Sequence, residues 1–530
     1  MPSYLKLKLP FRKFVLMKRL LLLSSCFLLT TRLLFSQNPG DNIFKSSNIH
    51  TINISITQQN WWDSLQYYFN DGGTQYMTCS VTFDSLQFDS VGIRLKGNSS
   101  YAHVGTKKPI KLDLDRFISG QKIDGMSKIN LNNGYLDPTM LREKLMLDFL
   151  NKEGLPAPRS TYARVSYNGK YCGLFEIIEQ VDKPFVKTHF GNKDGNLFKG
   201  DPNGTLEWKG SSQDSYSKDY ELKTNDSINN WSDLVSFIQT INSSQPVFAS
   251  EIKNKFDVSP YLKMWAVNNL FVNIDAYYYI AHNYYIYHNT SSDRFEWITW
   301  DVSLTFGVFP VWSETKINNL DLIYLPQLSN TRPLSKNLLD NDEFRYEYLS
   351  DVCHYLYNNF TPSYLFPKID SLADRIRTNI YAEPDSNRAY TLEEFEKNLG
   401  YGSVNGGFIW GEIPGLKSFI VNRRQEAINQ LCEKEWSCAA NSISNEGIIA
   451  IYPNPTAIKV TLGFDLVEDD ALVSYSIVDM AGREMIAETV KLPPNTNSHE
   501  VNIEKLRPGI YILKVSNSCK KFNRKLVIGK

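Results

Sequence analysis

Residues 268–307 read NNLFVNIDAYYYIAHNYYIYHNTSSDRFEWITWDVSLTFG, and the fold turns on how this stretch pairs with itself. Asn283 to Asn289 and Arg294 to Asp301 have strand composition and are joined by the turn Thr290-Ser291-Ser292-Asp293. If Asn289 pairs with Arg294, an antiparallel register sets Asn283 opposite Trp300 and His282 opposite Asp301. Cross-strand neighbours have Cβ atoms roughly 5 Å apart. The hairpin therefore carries an amide and a carboxylate to one end, beside the loop holding Asp275.

Asp275, Asn283 and Asp301 in that order follow the logic of a phosphoryl-transfer site. One carboxylate orients the attacking hydroxyl, and an amide with a second carboxylate holds Mg²⁺ against the phosphates. Oxygen ligands are required because Mg²⁺ is hard and keeps several waters. Spacing alone does not separate this from a purely structural hairpin, since Asp and Asn also favour hairpin ends.

Upstream, Val81 to Phe83, Val91 to Lys96 and Ile110 to Leu114 read as consecutive strands. In the last of these Ile110, Leu112 and Leu114 share one face, leaving Lys111 and Asp113 on the other. A helix is predicted over 138–152, with Pro138 in its first turn and Leu141, Leu145 and Phe149 four apart on one face. Two further strands, Tyr162 to Tyr167 and Leu174 to Glu179, flank the turn Asn168-Gly169.

Downstream, a polar stretch around Ala439 to Glu446 separates a block at about 41–437 from the last 84 residues or so, 447–530. That tail alternates with a period of two, as in Ala471, Val473, Tyr475 and Ile477, then Val501 and Ile503. Asp479-Met480-Ala481-Gly482 and Arg507-Pro508-Gly509 supply turns. Short strands at this spacing predict a small antiparallel β-sandwich.

At the N-terminus Lys18 and Arg19 precede an apolar run from Leu20 to Phe35, and Phe35-Ser36-Gln37 offers a cleavage point, so 1–36 reads as a signal peptide. Leu23-Ser24-Ser25-Cys26 resembles a lipoprotein box, but too few apolar residues precede Cys26. Formal charge is zero, with 57 basic and 57 acidic residues. The leader is all basic, so its removal leaves about −7, which lacks the electrostatic footprint of a nucleic-acid binder. No other stretch holds the ~18 apolar residues a membrane-spanning helix needs. The seven cysteines lack metal-ligand spacing, so no zinc site is expected; Cys432 and Cys438 are near enough for a local bridge and the rest read as buried thiols.

Two resemblances follow from these residues. Ile451-Tyr452-Pro453-Asn454-Pro455, the Asp479 to Arg483 turn, Leu506 to Tyr511 and Lys525-Leu526-Val527 resemble the type IX secretion sorting domain. This implies an outer-membrane export machine of Bacteroidota as partner and a secreted or cell-surface location. Val91 to Ser100, Lys107 to Lys111, Asn130 to Asn133, Leu141-Arg142-Glu143, Asn168-Gly169 with Gly173-Leu174, Glu179 to Asp182, His282 to Tyr285 and Trp300-Asp301 resemble the CotH family of spore-coat-type atypical kinases. This second resemblance spans most of 80–310.

The CotH resemblance implies an α+β, kinase-like domain over 41–437 that uses ATP and Mg²⁺ to phosphorylate an exported acceptor protein. Asp275 would be the catalytic carboxylate, and Asp301 with Asn283 would hold the metal. Lys111 would contact ATP phosphates, steadied by Glu179, with Arg94 or Lys108 as substitutes. Ser303 stands two positions after Asp301, where family members often carry an acid or amide. The alternative is a surface structural or adhesive protein that uses the scaffold without catalysis. A glycan-binding or glycan-hydrolysing module, suggested by 13% aromatic residues, would need two carboxylates facing one cleft, and the sequence gives no way to pair them.

Overall fold

The computed structural model describes residues 38–309, 317–325, 331–407, 411–434, 448–467, 471–493, 496–517 and 520–529. The expected signal peptide and the expected linker at 438–446 lie outside these residues.

Seven strands close into a barrel. They are β1 (His50–Ser55), β2 (Met77–Phe83), β3 (Leu86–Leu95), β4 (Ile110–Asp113), β5 (Lys128–Asn132), β6 (Ser160–Tyr167) and β7 (Lys170–Ile178). Their order is β1-β2-β3-β4-β5-β7-β6, and β1 and β6 meet in parallel to shut the ring. Alternation drives the closure: Ile52, Ile54, Val81, Ile93, Leu95, Ile110, Leu112, Ile129, Leu131, Val165 and Ile177 all point inward into one apolar cluster. Helix α1 (Trp61–Asn70) lays Leu65, Trp61, Trp62, Tyr68 and Phe69 against the same cluster. The intervening residues Arg94, Lys96, Lys111, Asn130 and Asn132 therefore stand on the outer surface of β3, β4 and β5.

The outer face of β6 and β7 is apolar as well, and Tyr162, Leu174 and Ile178 join a second, larger cluster. Helix α2 (Arg142–Lys152) is sandwiched there, burying Leu145 and Phe149. It begins at Arg142 rather than in the 138–152 register expected. Asp137 explains the delay: its carboxylate accepts from the backbone N of Thr139 (2.9 Å) and of Arg142 (2.8 Å), holding Pro138 in a turn ahead of the helix. The Arg142 guanidinium is fully buried and reaches Asp137 Oδ1, Asn398 Oδ1 and the Pro414 carbonyl.

Beyond the barrel, a four-stranded sheet orders as β11-β10-β8-β9, from β8 (Leu197–Gly200), β9 (Tyr220–Leu222), β10 (Tyr284–Asn289) and β11 (Arg294–Thr299). The hairpin register is the expected one, with Asn289 opposite Arg294 and Tyr284 opposite Thr299. Packed with this sheet are α3 (Val258–Leu270), the single-turn α4 (Tyr277–Ile280), α5 (Asp342–Asn358), α6 (Pro362–Tyr381) and α7 (Leu416–Glu433). Arg423 on α7 is fully buried and binds the Asn318 and Leu320 carbonyls and Asn269 Oδ1. Two short strands, β12 (Val404–Asn405) and β13 (Glu412–Ile413), pair beside it. Cys79 and Cys172 are free and buried, whereas Cys353 and Cys432 are disulfide-bonded. Cys438 and Cys519 lie outside the described residues.

The C-terminal region forms two antiparallel sheets, β14-β15-β18 and β17-β16-β19-β20. Their strands are β14 (Ile448–Tyr452), β15 (Lys459–Val467), β16 (Ala471–Asp479), β17 (Glu484–Leu492), β18 (Thr496–Asn502), β19 (Gly509–Asn517) and β20 (Lys520–Ile528). Val460, Leu462, Val473, Tyr475, Ile477, Val501, Leu513 and Leu526 from both sheets build one apolar cluster. Asn454 interlocks the motif at 451–455 with the last strand, donating Nδ2 to the Lys525 carbonyl (2.8 Å) and accepting from Val527 N (2.9 Å). The chain is thus α+β, and no helix among the described residues is long and apolar enough to cross a membrane.

Candidate active site

The loop after α3 delivers Asp275, and the hairpin that follows returns to it. Trp300 N donates to the Asn283 carbonyl (3.1 Å) and Phe306 N to the Phe271 carbonyl (2.8 Å). These two bonds fasten the segment around Asp301 to the segment around Asp275 at both ends.

Around Asp275 the polar contacts are dense. His282 Nε2 lies 2.6 Å from its Oδ1, and Asn283 Nδ2 donates to its Oδ2 (3.0 Å) and to its backbone carbonyl (2.9 Å). Asp275, His282, Asn283 and Asp301 are all half-buried, so each keeps partial access to solvent. Asn283 and Asp301 both adopt left-handed backbone, with φ of 59° and 52°. That conformation is uncommon outside glycine and is tolerated best by Asn and Asp, whose short side chains bond locally.

Burial raises the Asp275 carboxyl above its usual value, the His282 contact opposes this, and the charge of Asp301 adds to the rise. Burial pulls His282 down, but the hydrogen bond and charge of Asp275 overcome it and leave the imidazole raised. The two acids are therefore close enough to repel, while the histidine and the amide hold one of them. Asp301 Oδ1 accepts from Ser303 Oγ (2.9 Å). Both carboxylates and the Asn283 amide oxygen are hard donors, which suits Mg²⁺ bound by one or two protein groups with phosphates and water completing its shell. Among the described residues no group of three or more His, Cys, Asp or Glu could hold a metal by itself.

The remaining residues singled out from the sequence are dispersed. Lys111 Nζ donates to Gln180 Oε1 (2.7 Å), not to Glu179. Glu179 instead grips Arg159 through Nε (2.9 Å), a second guanidinium nitrogen (2.5 Å) and the Arg159 backbone N (3.0 Å), while Arg159 also pairs with Asp41. The expected Lys111–Glu179 contact is absent because each side chain is taken by another partner. Ile178 ends β7, so Glu179 lies one residue past the ladder, where Arg159 takes both of its carboxylate oxygens. Burial, then Arg94, Lys128, Lys96 and Lys223, push Lys111 down to about 7. Arg94 donates to the Gly73 and Leu95 carbonyls and lies over the Tyr76 ring. Lys108 reaches the His103 carbonyl and lies over Tyr101.

A further set, not anticipated from the sequence, is hydrogen-bonded across three elements. Lys96 Nζ donates to Asn132 Oδ1 (2.5 Å), and Asn132 Nδ2 donates to Glu143 Oε2 (2.8 Å) in the first turn of α2. The charge of Asp301 reaches both ends of this chain. It resists the lowering of Lys96 that burial causes, and adds to the raising of Glu143. The available signal was alternation with Leu95, which puts Lys96 on the outer face of β3.

Comparison with known proteins agrees with this architecture. Inner spore coat protein H of Bacillus subtilis is 29% identical over 276 residues, covering 51% of this chain and 73% of that protein. Invasins CotH2 and CotH3 of Rhizopus delemar are 24% and 23% identical over 305 and 348 residues, covering 52% and 61% of this chain. The matches span 50% and 57% of the invasins' own length. A secretion system C-terminal sorting domain matches residues 450–529, which marks the chain for secretion by the type IX route to the cell surface or beyond. The CotH kinase protein family matches residues 93–427, well over half of the chain, and the protein therefore belongs to that family as an exported member.

Proposed function

We propose that this protein is a phosphotransferase that moves the terminal phosphoryl group of Mg²⁺-bound ATP to a hydroxyl of an exported or surface protein. The observation that carries the reading is the Asp275–His282–Asn283 network fastened beside Asp301. A carboxylate fixed on both oxygens is suited to accept a hydroxyl proton in one orientation, and a neighbouring acid plus amide is suited to a divalent cation. Barrel and helical body then act as two kinase-like lobes. The C-terminal sheets form a β-sandwich that serves as the sorting signal, with export machinery of the type IX kind as partner.

Asp275 is the acceptor-orienting carboxylate in this reading. Asp301 and Asn283 hold Mg²⁺, which when bound neutralises charge on the phosphates. Ser303 occupies one oxygen of Asp301 and adds no charge, so the nucleotide itself must supply much of the metal's coordination. Lys111 and Arg94 contribute positive potential on the barrel face, while Glu179 serves the fold by holding Arg159.

A second reading is a surface structural or adhesive protein on the same scaffold. It is favoured by the names of the relatives, a coat protein and two invasins, and by the hydroxyl at Ser303. Incubating the purified chain with Mg²⁺ and γ-labelled ATP separates the two. Phosphoprotein formation that disappears in Asp275→Asn supports phosphotransfer. Absence of both labelling and any Mg²⁺-ATP-dependent rise in thermal stability supports the structural role.

A further inference from the structure

Between Asp275 and the His282–Asn283 pair the chain makes a single helical turn, α4, which sets where those groups stand relative to one another. Tyr279 N and Ile280 N return to the Ala276 carbonyl (3.0 and 2.9 Å), and Ala281 N returns to the Tyr277 carbonyl (3.2 Å). A turn this short leaves its last carbonyls without partners of its own. It also ends on Ala281, a fully buried alanine in the left-handed region with φ of 65°. Alanine has no side-chain group to bond locally, so the surroundings must hold that conformation.

The hold comes from a distant segment. Arg332 Nη2 donates to the Tyr279 carbonyl at 2.5 Å, across 53 positions of sequence. Its Nη1 folds back on Thr331, donating to the carbonyl (2.7 Å) and to Oγ1 (2.9 Å), which fixes the plane of the guanidinium. Arg332 immediately precedes the helix Pro333–Asp340, whose Leu334 and Leu338 are buried in the large apolar cluster. Leu334 N makes a longer contact with Tyr277 Oη (3.4 Å), and Tyr277 Oη itself donates to the Thr205 carbonyl (3.2 Å). The turn is thus fastened from outside at its first and third residues, and the shortest of these bonds is the arginine's.

Arg332 is 7% exposed, and its Nε is buried with no acceptor among the described residues. Its partners are backbone and hydroxyl oxygens, with no carboxylate among them. A buried cation without a counter-ion is a cost to the fold, and an apolar side chain of similar volume would serve the core at least as well. What the arginine adds is the placement of one carbonyl in the turn between Asp275 and His282.

We propose that Arg332 is a positioning residue of the phosphoryl-transfer site, holding the 277–280 turn through the Tyr279 carbonyl in the form that brings Asp275 against His282 and Asn283. This rests on the phosphotransfer reading above and adds to it a residue from outside the 268–307 segment. Arg332 acts by hydrogen-bond donation rather than by charge.

The test follows the purified full chain with Mg²⁺ and γ-labelled ATP, measuring the rate of phosphoprotein formation at saturating ATP, the ATP dissociation constant and the unfolding temperature. Arg332→Met fills much of the same space without a donor and is expected to lower the rate roughly ten- to one-hundred-fold, the cost of a small misplacement of a reacting group, with ATP affinity unchanged. Arg332→Lys keeps a donor for the Tyr279 carbonyl and should recover most of the rate. If Arg332→Met does not fold, Arg332→Gln, polar but too short to reach that carbonyl, takes its place with the same expected loss. Equal rates in wild type and the donor-less variant, each measured below its unfolding temperature, assign the arginine to the fold alone and overturn the proposal while leaving phosphotransfer standing. Loss of ATP affinity in step with rate, or a rate in Arg332→Lys as low as in the donor-less variant, overturns it as well. A wild-type chain that forms no phosphoprotein overturns the phosphotransfer reading and this proposal with it.

Discussion

Asn283 donates one amide nitrogen to two oxygens of Asp275, the carboxylate Oδ2 at 3.0 Å and the backbone carbonyl at 2.9 Å. With His282 on the other carboxylate oxygen, Asp275 has no freedom to rotate. A group fixed in this way does its work through orientation. Asp275→Asn is expected to lower phosphoryl transfer by roughly 10²–10⁴-fold, the usual contribution of a positioned acid or base, with Mg²⁺-ATP affinity within about threefold of wild type. Parallel loss of binding and transfer would refute the assignment.

Ser303 Oγ donates to Asp301 Oδ1 at 2.9 Å and so engages one of the oxygens available to a cation. Ser303→Asp adds a hard, charged ligand two residues from Asp301 and is expected to lower the Mg²⁺ concentration needed for half-maximal ATP binding. Asp301→Ala should abolish the Mg²⁺-dependent part of thermal stabilisation, about 2.7 kcal/mol at ligand one-hundred-fold above its dissociation constant. A Mg²⁺ titration of ATP-induced stabilisation across the three proteins reads both effects.

Glu179 and Arg159 hold the N-terminal segment to the barrel, because Arg159 also takes Asp41 Oδ1 at 2.8 Å. The pair is mostly buried, with side-chain exposures of 7% and 18%. Removing one partner leaves the other charge uncompensated, so Glu179→Ala is expected to cost about 2–4 kcal/mol in urea unfolding. Nucleotide affinity should be unchanged. A large drop in affinity without a loss of stability would restore Glu179 to the site.

His288 on β10 is braced on both ring nitrogens, by Asp233 at 3.1 Å and Asp293 at 3.0 Å. The hydrogen bond to Asp233, aided by that to Asp293, raises its pKa above the usual 6.5. For a group raised in the folded state, stabilisation is complete below the unfolded value and is lost as pH climbs through the folded one. The stability difference between wild type and His288→Gln should therefore be greatest near pH 6 and shrink at pH 8 and above. A difference that stays flat over that range would show that the imidazole remains neutral.

Strand alternation was enough to read the hairpin register at Asn289 and Arg294, the inward face of β4, the two-period tail and the convergence of Asp275 with Asn283. Each of these depends on neighbours close in sequence, where the direction of one side chain dictates the next. Phase errors entered where a distant group intervened. Asp137 delayed the start of α2 by accepting from the backbone N of Thr139 and Arg142, and Arg159 took the Glu179 carboxylate that the family resemblance had set beside Lys111.

The partners of a buried charge are set by which surfaces meet. Closing seven strands into a ring put Lys96, just past the end of β3, within hydrogen-bond reach of Asn132 on β5, and packing α2 against that ring brought Glu143 within reach of Asn132. Local pattern assigns each of them a face, but only the packing of barrel on helix specifies which faces touch, because burial is a property of the assembled surfaces and not of the chain read in order.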